Sequence, residues 1–271
     1  MSFGEGDSGR EGWPIPYEDA VPFFRQALDL GITLWDTANG YNAGTSEAAV
    51  GRALKELTRR DDIVVATKVY FPVHDGPGGS GLSRKAIMEQ IDASLTRLGT
   101  DYVDLYQIHR FDPDTPVEET MEALHDVVKA GKARYLGASS MAAWRFAKLQ
   151  HVAQRNGWTP FISMQDQYNL INRGEELENV RRPRGPGCRQ HPVPWSPLAQ
   201  GVVTRPWGDR TTSRGARGTD RFGRPLWLDS DQAIIDAIQR IAEARRVSMA
   251  QVALGVGAEE PGRRRAPRGR H

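Results

Sequence analysis

From residue 17 to about residue 170, short apolar runs alternate with stretches whose apolar positions recur every three or four residues. The runs are Ile32–Asp36, Ile63–Lys68, Val103–His109, Ala133–Ala138, Phe161–Gln165 and a short one ending at Trp195. Helical patterning fills 17–29, 46–58, 84–98, 116–130 and 141–156. Two helices carry boundary signals. Ser83 suits an N-cap, Ile87, Ile91, Leu95 and Leu98 form one stripe, and Gly99 stands at the end. Thr115, Pro116 and Glu118 read as a capping box before the stripe Val117, Met121, Leu124, Val128, with Gly131 as the stop.

Strands that alternate with helices must pair in parallel, because each return to the same edge needs a crossover. The strand runs are apolar at successive positions, which predicts burial on both faces. A unit repeating every 28–40 residues suits a (β/α)8 TIM barrel or an open doubly wound sheet. No Gly-x-Gly-x-x-Gly follows the first run, which favours the barrel.

Composition narrows the picture. Hydrophobic residues make up 39% and charged residues 26% of the 271, as in a soluble globular protein. No run of 18 apolar residues occurs and no basic start precedes an apolar stretch, so neither a membrane span nor a secretory leader is expected. The single Cys188 excludes a disulfide framework and a thiolate-rich metal site, and a reducing, cytoplasmic setting is expected. The net charge of +2 is unevenly placed: 180–192 holds +4 and 255–271 holds +3, so the remainder carries −5. Basicity confined to two short segments argues against nucleic acid as a partner.

The ends of the runs carry the chemistry. Asp36, Lys68 and His109 close the first three, Ser139 and Ser140 follow the fourth, Gln165 closes the fifth and Trp195 the last. Barrel enzymes set their active sites at this C-terminal rim. A buried Lys68 needs an anion, and Asp36 is the obvious one. Tyr41, five residues on in a Gly/Asn-rich loop, can reach the same place, where a nearby ammonium favours loss of the phenol proton. That would suit a general acid, with His109 donating a hydrogen bond to a carbonyl. The residues alone equally allow Tyr41 as a loop aromatic, Lys68–Asp36 as a structural pair and His109 as a core histidine.

Gly31-Ile-Thr-Leu-Trp-Asp36-Thr-Ala-Asn-Gly-Tyr41, followed by Ser46-Glu47 and Val50-Gly51, resembles the aldo-keto reductase signature. Ala66-Thr-Lys68-Val, Asp104-Leu-Tyr-Gln-Ile-His109, Gly137-Ala-Ser-Ser140, Ser163-Met-Gln165 and Pro194-Trp-Ser-Pro-Leu198 match later motifs in order. The resemblance covers roughly 1–178 and 193–254, and its loop and Pro-Trp-Ser-Pro-Leu forms look like the bacterial subfamily related to potassium-channel β-subunits. It implies Tyr41 as proton donor, Lys68 as its cation, Asp36 as the charge partner of Lys68, and His109 as the carbonyl-orienting group. It also implies Ser139, Ser140 and Gln165 on the nicotinamide carboxamide and Trp195 on its ring, with Ser196, Leu198 and Gly201 along the pyrophosphate. The implied reaction is NADPH-dependent reduction of a small-molecule aldehyde or ketone to an alcohol. A nicotinamide-binding regulatory subunit with little turnover and an inactive truncated product are the alternatives.

Three departures from the family pattern are visible. The opening Met1-Ser-Phe-Gly corresponds to a point past the family's first barrel strand. Residues 180–192 replace a helix end and a strand start, and Pro183, Gly185, Pro186 and Gly187 do not suit a helix interior. After Leu254 a Gly/Arg/Pro-rich tail stands where the eighth strand is expected. A one-nucleotide shift with GC-rich codons can spell family-like sequence in both odd segments, which predicts two reading-frame errors. The expected organisation is a barrel domain over 1–254, lacking its first and eighth strands, and an unstructured tail over 255–271. The loops 70–82 and 201–228 are expected to set specificity, with Trp207, Phe222 and Trp227 as candidate pocket walls. The oligomeric state leaves no trace in the sequence.

Overall fold

The computed structural model describes residues 3–5, 15–179, 191–209 and 226–258. Cys188, Phe222, the arginine-rich stretch 180–190 and residues 259–271 lie outside them. Two compact units divide the chain, the first essentially Met1–Met164 and the second Gln165 onward.

In the first unit each strand is followed by a helix. The order is α1 (Tyr17–Asp29), β1 (Leu34–Asp36), α2 (Thr45–Leu57), β2 (Val64–Val69), α3 (Arg84–Leu98), β3 (Val103–Ile108), α4 (Val117–Lys129), β4 (Ala133–Ser139), α5 (Ala143–Asn156) and the start of β5 (Phe161–Gln167). β1 to β4 pair in parallel and in chain order. Parallel strands in sequence order, each crossing through a helix, are an incomplete (β/α)8 barrel.

Register decides which side chains share a face. Asp36 pairs with Ala66, Lys68 with Gln107, and Gln107 with Gly137. Side chains alternate along a strand, so Asp36, Lys68, Gln107 and Gly137 belong to one face. Trp35, Val65, Tyr106 and Leu136 belong to the other, and they join the buried cluster with Phe24, Ile87, Met121 and Phe146 from the helices. The prediction of two-sided burial fails on the first face near the strand starts: Leu34, Val64 and Tyr135 are 43%, 43% and 55% exposed. The helices cover only the opposite face, so apolar strand residues here do not imply burial on both sides. At Gly137 an added Cβ would stand 2.6 Å from Ser163 Oγ and 3.0 Å from Gln107 Cγ. Only glycine lets those two polar side chains close across that row.

Local signals explain most boundaries. Ser83 Oγ accepts the Ala86 N–H at 3.2 Å, and Gly99 takes the left-handed conformation after α3 (φ 64°). The expected Thr115 cap does not form. Its hydroxyl donates to Asp112 Oδ2 at 2.8 Å, and α4 begins at Val117 behind Pro116. Pro116 takes the N-cap position, so Thr115 stands one residue too early for its hydroxyl oxygen to accept a first-turn N–H. β1 starts two residues later than its apolar run, because the Ile32 N–H is spent on Ala27 O at the end of α1.

The second unit holds the end of β5, its neighbour β6 (His191–Trp195), α6 (Gln232–Arg245) and α7 (Met249–Ala258). Its own core gathers Val202, Val203, Ile235, Ile238 and Met249, with Trp207 and Trp227 packed against it. Helix α7 runs four residues past Leu254, where an irregular tail was expected.

Candidate active site

The ends of β1, β2 and β3 bring Asp36, Lys68 and His109 to one end of the sheet, and a 3-10 turn over Tyr41–Gly44 brings Tyr41 to them. That turn bends tightly: Asn42 and Ala43 both adopt left-handed conformations (φ 47° and 53°). Asn42 is tied down by its Nδ2 donation to Phe3 O at 3.1 Å.

Lys68 is wholly buried, and its ammonium donates to Asp36 Oδ2 and to Thr37 O at 3.0 Å. Its Nζ lies 5.1 Å from the centre of the Tyr41 ring. Burial pushes the Lys68 ammonium down, but the charge of Asp36 and the neighbouring Tyr41 outweigh it, and the pKa stands above the ordinary lysine value. The Tyr41 hydroxyl lies 3.4 Å from His109 Nε2, and the two rings meet edge to face at 5.4 Å. Phe71, from the loop after β2, abuts His109 at 4.7 Å between ring centres. The four residues expected from the sequence thus form a chain of contacts within one unit, from Asp36 to Lys68 to Tyr41 to His109.

A fifth residue was not singled out from the sequence. Gln107 Nε2 donates to Asp36 Oδ1 at 2.9 Å, so Asp36 bridges Gln107 and Lys68. Its other amide atom, Oε1, is buried without a hydrogen-bond partner among the described residues. The available signal was an amide side chain inside an apolar strand, two positions before His109 and therefore on the same face. Behind the site, Glu47 is fully buried; it accepts from Thr67 Oγ1 at 2.5 Å and pairs with Arg97 at 2.7 Å. Thr37 and Ser46 hydroxyls meet at 2.9 Å. This polar layer ties α2 and α3 to the strands that carry Asp36 and Lys68.

Of the positions expected to hold a cofactor, Ser139 and Ser140 close β4, with their hydroxyls 3.1 Å apart and Ser140 in a left-handed conformation (φ 52°). The others belong to the second unit. Gln165 is buried on β5, and Trp195 ends β6, its carbonyl accepting the Tyr168 N–H at 3.3 Å. Ser196 turns left-handed (φ 53°), with its carbonyl held by Asn169 Nδ2 at 3.0 Å. Leu198 O accepts the Gly201 N–H at 2.8 Å, and Gly201 has φ 100°, a value suited to glycine. Trp207 and Trp227 stack edge to face at 5.7 Å in that unit's core, so there they serve packing.

Residues 1–255 match the Aldo/keto reductase family. The chain belongs to that family. A versiconal hemiacetal acetate reductase of Aspergillus parasiticus is 44% identical over 95% of the chain and 80% of its own length. An aldo-keto reductase of Fusarium vanettenii is 41% identical, over 92% and 73%. A Schizosaccharomyces pombe protein named "Putative aryl-alcohol dehydrogenase" is 39% identical, over 93% and 84%. These relatives are fungal; they do not bear on the expected bacterial subfamily. Aldo/keto reductases are oxidoreductases that act on small carbonyl compounds and generally use a reduced nicotinamide. Among the described residues no helix is long and apolar enough to cross a membrane, and no group of His, Cys, Asp and Glu could hold a metal ion.

Proposed function

We propose that the chain reduces aldehydes or ketones to alcohols with NADPH, and that Tyr41 gives the proton. The observation that carries this reading is the contact of the Tyr41 hydroxyl with His109 Nε2 at 3.4 Å beside the buried Lys68–Asp36 pair. A carbonyl oxygen received between Tyr41 and His109 takes a hydrogen bond from each. As negative charge grows on that oxygen, the Tyr41 proton moves to it. The Lys68 ammonium stabilises the phenolate left behind, and Asp36 holds Lys68 charged in a place without water. Gln107 positions Asp36.

Taken unit by unit, the donor types suit parts of the cofactor. Ser139 and Ser140 hydroxyls and the Gln165 amide offer both donors and acceptors, as a primary carboxamide requires. Trp195 offers a ring face, and the Ser196–Leu198 segment offers backbone N–H groups for a pyrophosphate, with Gly201, whose own N–H is bound to Leu198 O, shaping the turn. NADPH, when bound, supplies the hydride. The test is consumption of reduced nicotinamide by the purified chain with a simple aldehyde such as benzaldehyde. Aldehyde-dependent loss of its absorbance, abolished in Tyr41→Phe, supports the reading. Tight cofactor binding without turnover would instead favour a regulatory nicotinamide-binding subunit.

A further inference from the structure

The segments that flank the site carry cations and rings in contact. Arg145, in the first turn of α5, holds its guanidinium 4.8 Å from the Phe111 ring centre and 5.2 Å from that of Trp144. Phe111 is two residues beyond His109, and Arg145 is five beyond Ser140. Arg145 Nε is buried and has no hydrogen-bond partner, and no carboxylate pairs with this guanidinium among the described residues. Other partly buried arginines of the same unit are engaged. Arg60 bonds Asp104 and two backbone carbonyls, and Arg97 bonds Glu47. Nearby, Arg110 lies over Phe71 at 5.5 Å, and Phe71 abuts His109. Asp112 is already committed, accepting from Leu82 N, Asp114 N and the Thr115 hydroxyl.

A guanidinium is a planar fork of five donors with no acceptor. Held against two rings whose centres are themselves 6.5 Å apart, it has lost side-chain freedom before any ligand arrives. With one N–H withdrawn from water and unanswered, it is set to receive an acceptor with two oxygens. We infer that the carbonyl substrate bears a carboxylate or a phosphate, bonded by Arg145, while Phe111 and the 61% exposed Trp144 flank its body. The inference rests on Tyr41 and His109 being the reducing site and names the substrate class that site takes.

The test compares 4-carboxybenzaldehyde with its neutral methyl ester in wild type, Arg145→Met and Arg145→Lys. Wild type should favour the carboxylate. Arg145→Met should lose about 10- to 100-fold in kcat/KM for it, mostly through KM, and far less for the ester. Arg145→Lys keeps the charge without the fork and should fall between. Binding of the product 4-(hydroxymethyl)benzoate, measured by calorimetry, must weaken in the same order without any turnover. Equal losses for acid and ester with unchanged product binding would mean that Arg145 only packs the two rings, and would overturn the inference. So would indifference of both probes to all three side chains. If product binding follows Arg145 but neither aldehyde is reduced, the anion site stands and the carbonyl-reducing reading falls.

Discussion

Asp36→Asn removes one charge and almost no volume, so it isolates what the pair with Lys68 is worth. Lys68 has no exposure at all, and Asp36 keeps 28% of its side chain in contact with solvent. After the substitution the ammonium retains Thr37 O as an acceptor but has lost its counter-charge. Stripping one partner from a buried pair costs about 3–5 kcal/mol, and the partial exposure of Asp36 places this pair near about 3 kcal/mol. In a chain of this size that corresponds to a fall of roughly 6–12 °C in Tm. The pH dependence has a definite sign. In the native protein the Lys68 pKa is raised, so its stabilisation is complete below the unfolded value of about 10.4 and is lost as pH climbs through the higher folded value. In the variant burial is opposed by Tyr41 without the Asp36 charge, the pKa falls from its native position, and the penalty shrinks once the unfolded lysine also loses its proton. Urea unfolding followed by tryptophan fluorescence at about pH 7.5 and again above about pH 10.5 reads both effects, since other lysines titrate alike in the two proteins. The gap should be full at the lower pH and visibly smaller at the higher one. A gap under about 1 kcal/mol at neutral pH, or one that does not change with pH, would refute the account of a desolvated ammonium held by Asp36.

Tyr41→Phe keeps the ring against His109 and should cut turnover by about 10²-fold or more, with NADPH affinity by fluorescence titration little changed; near-full activity would remove Tyr41 as the acid. Gln107→Met deletes the donor to Asp36 Oδ1 and should cost about 1–2 kcal/mol in urea unfolding, reduced by loss of the unpartnered Oε1; a stabilised variant would show that the amide is not anchoring Asp36. Gly51→Ala would place a Cβ 2.4 Å from Leu98 O, where α2 meets α3, and should destabilise by about 1–3 kcal/mol or more; a neutral melt would contradict that close approach.

The first unit was largely legible in the sequence because its signals are local. α1 and α3 span the residues their apolar periods mark, and Ser83 and Gly99 bound α3 as their chemistry dictates. At two other boundaries local reasoning failed. Thr115 falls one residue outside the N-cap Pro116 and donates to Asp112, and the Ile32 N–H bonds the end of α1 rather than the sheet. Two-sided burial of the strands was misjudged because an apolar side chain records what a face tolerates, not what covers it; Leu34 and Val64 show this. The strand-end rule located Asp36, Lys68 and His109, since each polar residue interrupts an apolar run. It passed over Gln107, which sits inside a run, and Arg145, whose meaning lies in a missing counter-ion that no sequence displays.

The site draws one residue from each of three successive strands, and the longest reach within it is short along the chain. Lys68 meets Asp36 across 32 residues, Tyr41 meets His109 across 68, and Gln107 meets Asp36 across 71. Neighbours in space are therefore close in order of synthesis: the first closure needs one crossover helix, α2, and the second needs two, α2 and α3. The Lys68–Asp36 contact needs only β1 and β2, the Tyr41–His109 contact needs the end of β3 as well, and neither waits for β5 or anything after it. The Tyr41–His109 contact is thus a clock for the early part of assembly. A fluorescent or exchange probe at His109 should report that the first three strands have come together while the second unit is still unfolded.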